Sequence, residues 1–515
     1  MAITDVFPEY ATTSCIDTLR ETEYSHLDAQ DHVYLDYTGS SLASQSQHLH
    51  HASRLTSQLY GNPHSVNPSS QAATEEINTT RARILSHLNA SPEEYVVIFT
   101  PNASGAARLV GESYPFQPNQ RLVLTADNHN SINGIRVMAA SKGTKTTYIP
   151  LETPSLRLDT NKVMAALSPN TVGARGRGLF NRVISGCIPR RSSTHTLHQE
   201  KQTPWPKQKG KTQGLFAYPA QSNFTGIRHP LDLVTLAQQK GYDVLLDAAA
   251  YLPTSTLDLS LVKPEFLLVS FYKLFGYPTG VGCLVAKKTA LSRLSPRPWF
   301  AGGTVQAVAV GVQWHSMLSS ESPERYEDGT VNFLSIPDVK FGLDWISGSV
   351  RMDVIETRVK CLTGWFMLRL KAMKHGDGRP MVRMYGSPES KMRGGTVAFN
   401  ILDAEGKIVD ERLVGIESAA ARISLRTGCF CNPGAGEYAL GIGETALKRL
   451  TRVKKLSGGL DQFIELLGLP SAGAIRVSFG IASNAADVDR FLGFLEKTYT
   501  DRVTGGESLD KRESC

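Results

Sequence analysis

The stretch that decides the fold is Ser270-Phe271-Tyr272-Lys273-Leu274-Phe275-Gly276, which follows the apolar run 266–269 and precedes Gly280 and Gly282. A lysine between aromatic residues at the end of a buried strand loses part of its hydration. This loss lowers the pKa of the amine, which is then neutral and able to form a Schiff base with an aldehyde. The alternative is a strand-end lysine whose amine reaches solvent.

An acidic residue lies upstream, at the end of another apolar run. Asp247 closes Val244-Leu245-Leu246 and precedes three alanines. The carboxyl end of a parallel strand faces the crevice where such sheets bind ligands. Pyridoxal 5′-phosphate (PLP) needs a carboxylate against its pyridine nitrogen, because the protonated ring then withdraws electrons. Asp247 and Lys273 together predict a PLP site, although Asp247 alone is also typical of a helix cap.

Three further motifs follow predicted strands and suit the same cofactor. The small residues of 100–106 open a helix, whose amides favour a phosphate. His129, between two asparagines, is able to stack on a flat ring, and the segment 220–226 offers amide side chains, among them Asn223. Each motif by itself also fits an ordinary polar turn.

A glycine-flanked cysteine pair forms the last motif, Arg426-Thr427-Gly428-Cys429-Phe430-Cys431-Asn432-Pro433-Gly434. Arg426 is suited to clamp a carboxylate, and the glycines favour a loop that carries a thiolate toward a substrate. The alternative is two ordinary thiols. We expect no metal site, because no second Cys or His pair follows at zinc-ligand spacing.

Composition places the chain among cytoplasmic enzymes. Its 515 residues fit a large and a smaller domain, and no apolar run is long enough to span a membrane. The N-terminus lacks the features of a secretory signal. Seven cysteines, an odd number in a long chain, make a disulfide framework unexpected.

The net charge of +7 is concentrated in one segment. Nine Lys and Arg residues against one Glu lie within 175–211, so this segment carries +8 and the rest of the chain −1. With its prolines and polar clusters, 174–213 is predicted to be a disordered surface insertion, with a retained non-coding stretch as the alternative. A scaffold or nucleic-acid-binding role for this segment is a competing hypothesis, but a local charge run is more often a solvated loop.

Short apolar strands alternate with helical patterns over much of the chain, which predicts an α/β fold with a mostly parallel sheet. We divide it into an irregular N-terminal segment (1–30), a large domain (31–335), a smaller α+β domain (336–500) and a polar tail (501–515). A helix is predicted over 71–88, and another over 484–499 with Asn484 as N-cap. The predicted strands are 33–36, 95–100, 121–125, 146–149, 215–218, 243–247, 266–271, 281–286, 394–401 and 474–480.

In order and content, these motifs resemble the class V aminotransferase-like domain of eukaryotic molybdenum cofactor sulfurases, relatives of the cysteine desulfurases. Tyr272 stands where bacterial relatives typically have histidine. The chain ends soon after this domain, so we expect it to lack the C-terminal domain that binds the molybdenum cofactor. The resemblance covers roughly residues 30–500 outside the insertion and is carried by Tyr-Gly-Asn-Pro-His-Ser (60–65), Val-Ile-Phe-Thr (97–100), Ala-Gln-Ser-Asn-Phe-Thr-Gly (220–226), Leu-Leu-Asp-Ala-Ala (245–249), residues 270–280 and residues 426–435.

The resemblance implies PLP fold type I, with a seven-stranded sheet, and a role for each candidate residue. Lys273 binds the cofactor covalently and moves protons, and Cys431, with Cys429 as second choice, takes up the sulfur as a persulfide. Arg426 and Arg476 bind the substrate carboxylate. The remaining implied roles are ring-nitrogen partner for Asp247, ring stacking for His129, phosphate binding for Ala103, Ser104 and Ser270, proximity to the ring oxygen for Asn223, and contact with the neighbouring subunit's phosphate in a homodimer for Thr330.

The implied reaction is the removal of sulfur from L-cysteine, or a related amino acid, to give alanine and a persulfide on Cys431. The sequence leaves the acceptor of that sulfur open. A second hypothesis keeps PLP but not sulfur transfer: a carbon–sulfur lyase, an epimerase or a decarboxylating enzyme that forms carbon–carbon bonds in specialised metabolism.

Overall fold

The computed structural model describes residues 2–168, 212–294, 297–453, 456–469 and 471–512. The insertion predicted over 174–213 lies outside the described residues except for its last two positions. The strands are β1 (Val33–Tyr34), β2 (Tyr95–Thr100), β3 (Arg121–Thr125), β4 (Lys145–Ile149), β5 (Leu151–Glu152), β6 (Arg157–Leu158), β7 (Gly214–Pro219), β8 (Tyr242–Asp247), β9 (Phe266–Ser270), β10 (Gly282–Lys287), β11 (Val305–Ala309), β12 (Trp314–Met317), β13 (Val382–Tyr385), β14 (Thr396–Ile401), β15 (Ile423–Ser424), β16 (Arg426–Gly428) and β17 (Ala474–Ser478).

None of the helices in these ranges combines the length and apolar character that crossing a bilayer requires. The helices are α1 (Ile3–Val6), α2 (Cys15–Glu23), α3 (Ser25–Ala29), α4 (Gln45–Ser57), α5 (Pro68–His87), α6 (Ala103–Ser113), α7 (Asn130–Asn133), α8 (Ile135–Ser141), α9 (Thr160–Leu167), α10 (Leu233–Gln239), α11 (Phe271–Phe275), α12 (Lys288–Leu291), α13 (Ile336–Ser349), α14 (Met352–Ala372), α15 (Glu411–Ala420), α16 (Pro433–Ala439), α17 (Glu444–Leu450), α18 (Gly459–Leu467) and α19 (Ala485–Tyr499).

A seven-stranded sheet forms the centre of the chain, in the order β2-β10-β9-β8-β7-β3-β4. The pairings from β9 through β4 are parallel, and β10 runs antiparallel to both of its neighbours. The prediction of a mostly parallel sheet is therefore confirmed. The carboxyl ends of β3, β7, β8 and β9 lie along one edge, which is where ligands bind in open α/β sheets.

Both faces of this sheet are buried, as the continuous apolar strands indicate. On β2, Val97 and Phe99 belong to one core cluster, whereas Val96 and Ile98 belong to a second cluster on the opposite face. The first cluster includes residues of α5, α13 and α14, and the second includes residues of α6, α7 and α8. A sheet covered in this way holds its strand ends rigidly.

A four-stranded antiparallel sheet, β13-β14-β17-β16, forms the C-terminal part of the fold. The short strand β1 pairs in parallel with β15, and Asp36 then bridges to Ser478. The first predicted strand therefore lies beside the C-terminal elements rather than in the central sheet. The division into domains near residue 335 stays a prediction.

The N-terminal segment 1–30, expected to be irregular, is helical: it contains α1, α2, α3 and a short 3₁₀ helix, Pro8–Thr13. The expectation of irregular structure is wrong because these short helices are stabilised by distant residues. Arg20 is buried and donates to Asp487 Oδ2 at 2.7 Å and to the Ala482 carbonyl at 2.8 Å. Short helices are marginal alone and depend on such packing.

The two predicted helices are confirmed, and asparagine caps explain where they begin. Asn67 accepts a hydrogen bond from the Ser70 N–H, and Pro68 occupies the first position of α5, where its missing N–H costs nothing. Asn484 and Asp487 form a capping box at the start of α19.

Candidate active site

A cavity of about 350 Å³ opens at the carboxyl edge of the central sheet. Its volume falls within the range that is usual for small-ligand sites. Gln221, Thr279 and Gly280 complete parts of its lining. The predicted site residues that line it are Ala103, Ser104, His129, Asn223, Asp247, Ser270 and Lys273.

Lys273 lies on α11, directly after the buried strand β9, and its amine is removed from water. Burial lowers the pKa of the Lys273 amine; the positive charges of Arg476 and Arg426 lower it further, while the carboxylate of Asp247 opposes this shift. Gly276 ends α11 with φ 79°, and a β-carbon there would lie 2.2 Å from the Ala43 backbone nitrogen. The neutral form of an amine attacks a carbonyl group, and a lowered pKa increases the fraction of the amine in that form.

Asp247 is the last residue of β8 and faces the same cavity as Lys273. Its Oδ1 accepts a hydrogen bond from the Ala249 N–H at 3.0 Å, a local turn, and no α-helix starts at this point. The helix-cap alternative therefore does not apply. Asp247, Ser270 and Lys273, which follow one another around the ends of β8 and β9, are called the cofactor wall below.

Hydroxyl groups and a helix N-terminus form another end of the cavity. The Ser270 Oγ is buried and has no hydrogen-bond partner among the described residues. Ala103 and Ser104 begin the eleven-residue helix α6, and the Ser104 Oγ lies 2.6 Å from the Ser131 Oγ. A buried hydroxyl without a partner, next to a helix N-terminus, suits a phosphate group.

His129 caps α7 and lines the cavity in its neutral form. Its Nδ1 accepts a hydrogen bond from the Ser131 N–H at 3.1 Å, which places the proton of the neutral ring on Nε2. Burial lowers the pKa of the imidazole, and the positive charge of Lys273 adds to this effect, whereas Asp247 opposes it. A neutral, fixed imidazole is suited to stack on an aromatic cofactor.

The two arginines predicted to bind the substrate carboxylate share a partner that was not predicted, Asp36. Arg476 donates to Asp36 Oδ1 at 2.8 Å, and Arg426 donates to Asp36 Oδ2 at 3.0 Å through Nε. Arg476 is buried, and its Nε has no hydrogen-bond partner among the described residues. Burial lowers the pKa of Arg476, and Asp36 opposes that shift. Neither arginine lines the 350 Å³ cavity itself.

Residues 428–434, the cysteine loop, carry the predicted sulfur acceptor. Cys431 is exposed and free, whereas Cys429 is disulfide-bonded, so Cys429 is not a free thiol that could serve as the second-choice sulfur acceptor. The Asn130 N–H donates to the Cys431 carbonyl at 2.7 Å, which ties the loop to the residue after His129. Gly434 permits this approach, because a β-carbon there would lie 1.9 Å from the Ala126 carbonyl oxygen.

Asn223, predicted to lie near the ring oxygen of the cofactor, lines the cavity but also binds the cysteine loop. Its Nδ2 donates to the Phe430 carbonyl at 2.8 Å, and its Oδ1 accepts from Asn432 Nδ2 at 2.8 Å. The side chain of Asn432 was missed, although an asparagine directly before Pro433 is a recognisable helix-start signal. No local pattern indicated Asp36 or Ser131 as site residues.

Thr330 lies outside the cavity, on a neighbouring one of about 450 Å³ that shares Pro101 and Gly280 with it. Its Oγ1 accepts a hydrogen bond from Asn62 Nδ2 at 3.3 Å. Within one protomer, the structure therefore does not bring Thr330 together with the other predicted phosphate ligands. Its predicted role toward a neighbouring subunit stays a prediction.

The sequence of the chain matches a known family. A family model described as aminotransferase class-V matches residues 33–173 and 199–491. The chain belongs to the aminotransferase class-V family. Proteins of this family depend on PLP, and the buried lysine, the strand-end acid and the orphaned Ser270 hydroxyl fit that cofactor.

Curated relatives in this family include molybdenum cofactor sulfurases. The protein of Solanum lycopersicum is 35% identical over 497 residues, covering 94% of this chain and 57% of the relative. The protein of Homo sapiens is 32% identical over 499 residues, covering 93% of this chain and 51% of the relative. The chain thus spans only about half to three fifths of the length of these relatives.

Among solved structures, the apo cysteine desulfurase of Thermococcus onnurineus is similar with a TM-score of 0.69. It is 20% identical, and the match covers 94% of this chain and 98% of that one. This likeness confirms the predicted α/β architecture of PLP fold type I.

Proposed function

We propose that this chain is a PLP-dependent cysteine desulfurase of the molybdenum cofactor sulfurase type, which takes sulfur from L-cysteine onto Cys431. The observation that carries the proposal is an exposed free thiol, Cys431, on a loop whose backbone is hydrogen-bonded to residues at the cofactor cavity. A lyase, an epimerase or a decarboxylating enzyme would have no use for a thiol held in this way.

Binding and orientation of the substrate fall to the arginines. The carboxylate of L-cysteine binds Arg476, whose buried Nε has no hydrogen-bond partner in the described part of the chain, with Arg426 available on the exposed side. Such an ion pair fixes the Cα–H bond relative to Lys273. PLP, when bound, would supply an electron sink, and Asp247 is the carboxylate that would keep its pyridine nitrogen protonated.

Lys273 then transfers protons, and Cys431 accepts the sulfur. The Lys273 amine takes the α-proton of the substrate and returns a proton later, as a general base and acid. The Cys431 thiolate attacks the substrate sulfur: a sulfur–sulfur bond forms, the carbon–sulfur bond breaks, and its electron pair goes to the β-carbon, which is protonated. L-cysteine and the Cys431 thiol thereby become alanine and a persulfide, with no external oxidant or reductant.

The proposal also covers the final sulfur acceptor, the location in the cell and the oligomeric state. A second acceptor collects the sulfur, and the molybdenum cofactor, named in the relatives, is the first to test. We propose a cytoplasmic location, where the Cys431 thiol stays reduced, although the disulfide at Cys429 is not typical of that compartment. We propose a homodimer in which Thr330 contacts the cofactor phosphate of the neighbouring subunit.

The test is a turnover assay on the purified protein with PLP and L-cysteine. We expect alanine to appear together with a sulfur added to Cys431, detected by mass spectrometry of its peptide. Cys431→Ser should keep the absorbance of bound PLP but form neither persulfide nor, beyond about 1% of the wild-type rate, alanine.

Cys15→Ser is the matched control, since Cys15 is also free and exposed but lies on α2. It should behave as the wild type. Full sulfur transfer by Cys431→Ser would refute the role of Cys431, and pyruvate or a racemised amino acid as the main product would favour the lyase or epimerase instead.

A further inference from the structure

The side chain of Asn432, the residue after Cys431, is fully buried and forms hydrogen bonds at both of its ends. Its Nδ2 donates to the Asp127 carbonyl at 2.7 Å and to Asn223 Oδ1 at 2.8 Å. Its Oδ1 accepts from the Ala435 N–H at 3.2 Å and so caps α16. Capping alone needs only the oxygen, so the two bonds from Nδ2 serve another purpose.

The bond to Asn223 orients a group that binds the backbone next to Cys431. Because Asn432 occupies Asn223 Oδ1, the amide of Asn223 is oriented with Nδ2 toward the Phe430 carbonyl, 2.8 Å away. The next carbonyl, of Cys431, accepts from the Asn130 N–H at 2.7 Å.

The anchor point of this network is rigid. Asp127 precedes the asparagine and histidine at 128–129, and its Oδ2 lies 2.7 Å from His229 Nε2. Both side chains of this pair are only 1% exposed. The bond from Asn432 to the Asp127 carbonyl therefore fixes the position of the cysteine loop relative to the segment that carries His129.

The backbone held by this network is strained. Phe430 and Cys431 both have left-handed conformations, with φ of 56° and 52°. Such a conformation costs about 1–3 kcal/mol for each non-glycine residue and persists only where the surroundings enforce it. An exposed residue such as Cys431 relaxes to another conformation when its neighbours no longer hold it.

We propose that Asn432 is a positioning residue for sulfur transfer: its amide group keeps the strained cysteine loop in the conformation from which the Cys431 thiol takes up sulfur. This inference rests on the proposed function. The inference predicts different effects on two steps. Removal of the α-proton uses Lys273 and does not involve the cysteine loop, whereas persulfide formation does involve it.

The test uses Asn432→Ser and Asn432→Asp with PLP and L-cysteine. Both variants keep a cap acceptor for α16, but serine is too short to reach Asp127 and aspartate lacks the donor. We expect single-turnover persulfide formation on Cys431 to slow about 10- to 100-fold. Exchange of the substrate α-proton with deuterated solvent, read by NMR, should stay within about twofold of wild type.

The matched control is Asn484→Ser, at another asparagine-capped helix, α19, remote from the cysteine loop. It should change neither rate. Persulfide formation at the wild-type rate in both Asn432 variants would overturn the proposal. Loss of PLP binding, or an equal loss of proton exchange, in both variants would also overturn it, because Asn432 would then support the whole site.

Failure of the positioning role of Asn432 gives a different result from failure of the proposed function. If Cys431→Ser still transfers sulfur, the acceptor assignment is wrong whatever Asn432 does. If Cys431→Ser is inactive while both Asn432 variants transfer sulfur at the wild-type rate, only the positioning role is lost.

Discussion

The cofactor wall and the cysteine loop both take part in the proposed reaction, but they are built in opposite ways. The wall consists of residues at the ends of β8 and β9, strands that are hydrogen-bonded within a sheet covered on both faces. The loop contains two left-handed residues, Phe430 and Cys431, the second of which carries the exposed thiol, and side-chain amides hydrogen-bond to the loop. A cofactor that stays bound needs fixed partners, whereas a thiol that accepts sulfur and passes it on needs access to solvent.

The difference in burial has a chemical consequence. Burial lowers the pKa of the Lys273 amine, so a larger fraction of this amine is present as the neutral base. Cys431 is exposed, so a second protein or cofactor is able to reach the sulfur that it carries. Changes in the wall should therefore affect every step, and changes in the loop only sulfur transfer.

Removal of the wall lysine should have the largest effect. Lys273→Ala removes both the covalent anchor and the base, so we expect turnover to fall at least about 10³-fold. The visible absorbance band of covalently bound PLP should disappear. Both are measured on protein reconstituted with excess PLP.

Lys263→Ala is the control, since this lysine forms a partly exposed ion pair with Glu94 at 2.6 Å. It should keep the absorbance band and the activity. If the Lys273→Ala protein retained the band, another lysine would bind the cofactor. The role assigned to the cofactor wall would then be wrong.

Asp36 is linked to both regions. Its charge and that of its partner Arg476 act on the pKa of Lys273, and Arg476 lies over the ring of Phe430, 4.8 Å from the ring centroid. Asp36→Asn leaves a buried guanidinium without a carboxylate, so we expect the free energy of unfolding in urea to fall by about 3 kcal/mol. Asp353→Asn, which breaks an exposed pair with Arg351, should cost less than about 1 kcal/mol. Equal effects of the two changes would show that Arg476 does not need Asp36.

The smallest effect is a pH dependence that originates at the cavity. The pKa of His129 in the folded protein lies below its ordinary value of 6.5, mainly through burial. As the pH falls from 6.5 toward the folded pKa, the unfolded chain takes up a proton that the folded chain does not, so stability falls with acid.

Unfolding free energies of the cofactor-free wild type and His129→Gln should therefore diverge with pH. The wild type should lose up to about 1.4 kcal/mol per pH unit relative to the variant. A difference that stays constant between pH 7 and about 5 would mean that folding does not change the pKa of His129. A change in favour of the wild type in acid would mean that folding raises this pKa, and either result would contradict the prediction.

Much of the wall was predictable from the sequence, because its parts are local. Lys273 and Asp247 each follow an apolar strand, and parallel strand ends converge on one edge of a sheet. Asn484 and the small residues around Ser104 mark helix starts in the same local way.

The rest depends on residues that are far apart in the chain. Asp36 pairs with arginines at 426 and 476, and the helix that carries Arg20 is held by Asp487. No periodicity in the sequence reports such pairs. The role of the Asn432 amide also depends on a distant partner, Asn223, so only its capping function was open to prediction.

The most direct test marks both regions in one experiment. One portion of the protein, loaded with PLP, is treated with borohydride to fix the cofactor. A second portion is mixed for a single turnover with L-cysteine that carries isotopically labelled sulfur and is alkylated without borohydride, which would reduce a persulfide. We predict that peptide mass spectrometry finds the cofactor on Lys273 and the labelled sulfur on Cys431. Cofactor on another lysine, or labelled sulfur that leaves the protein without ever residing on Cys431, would contradict the account.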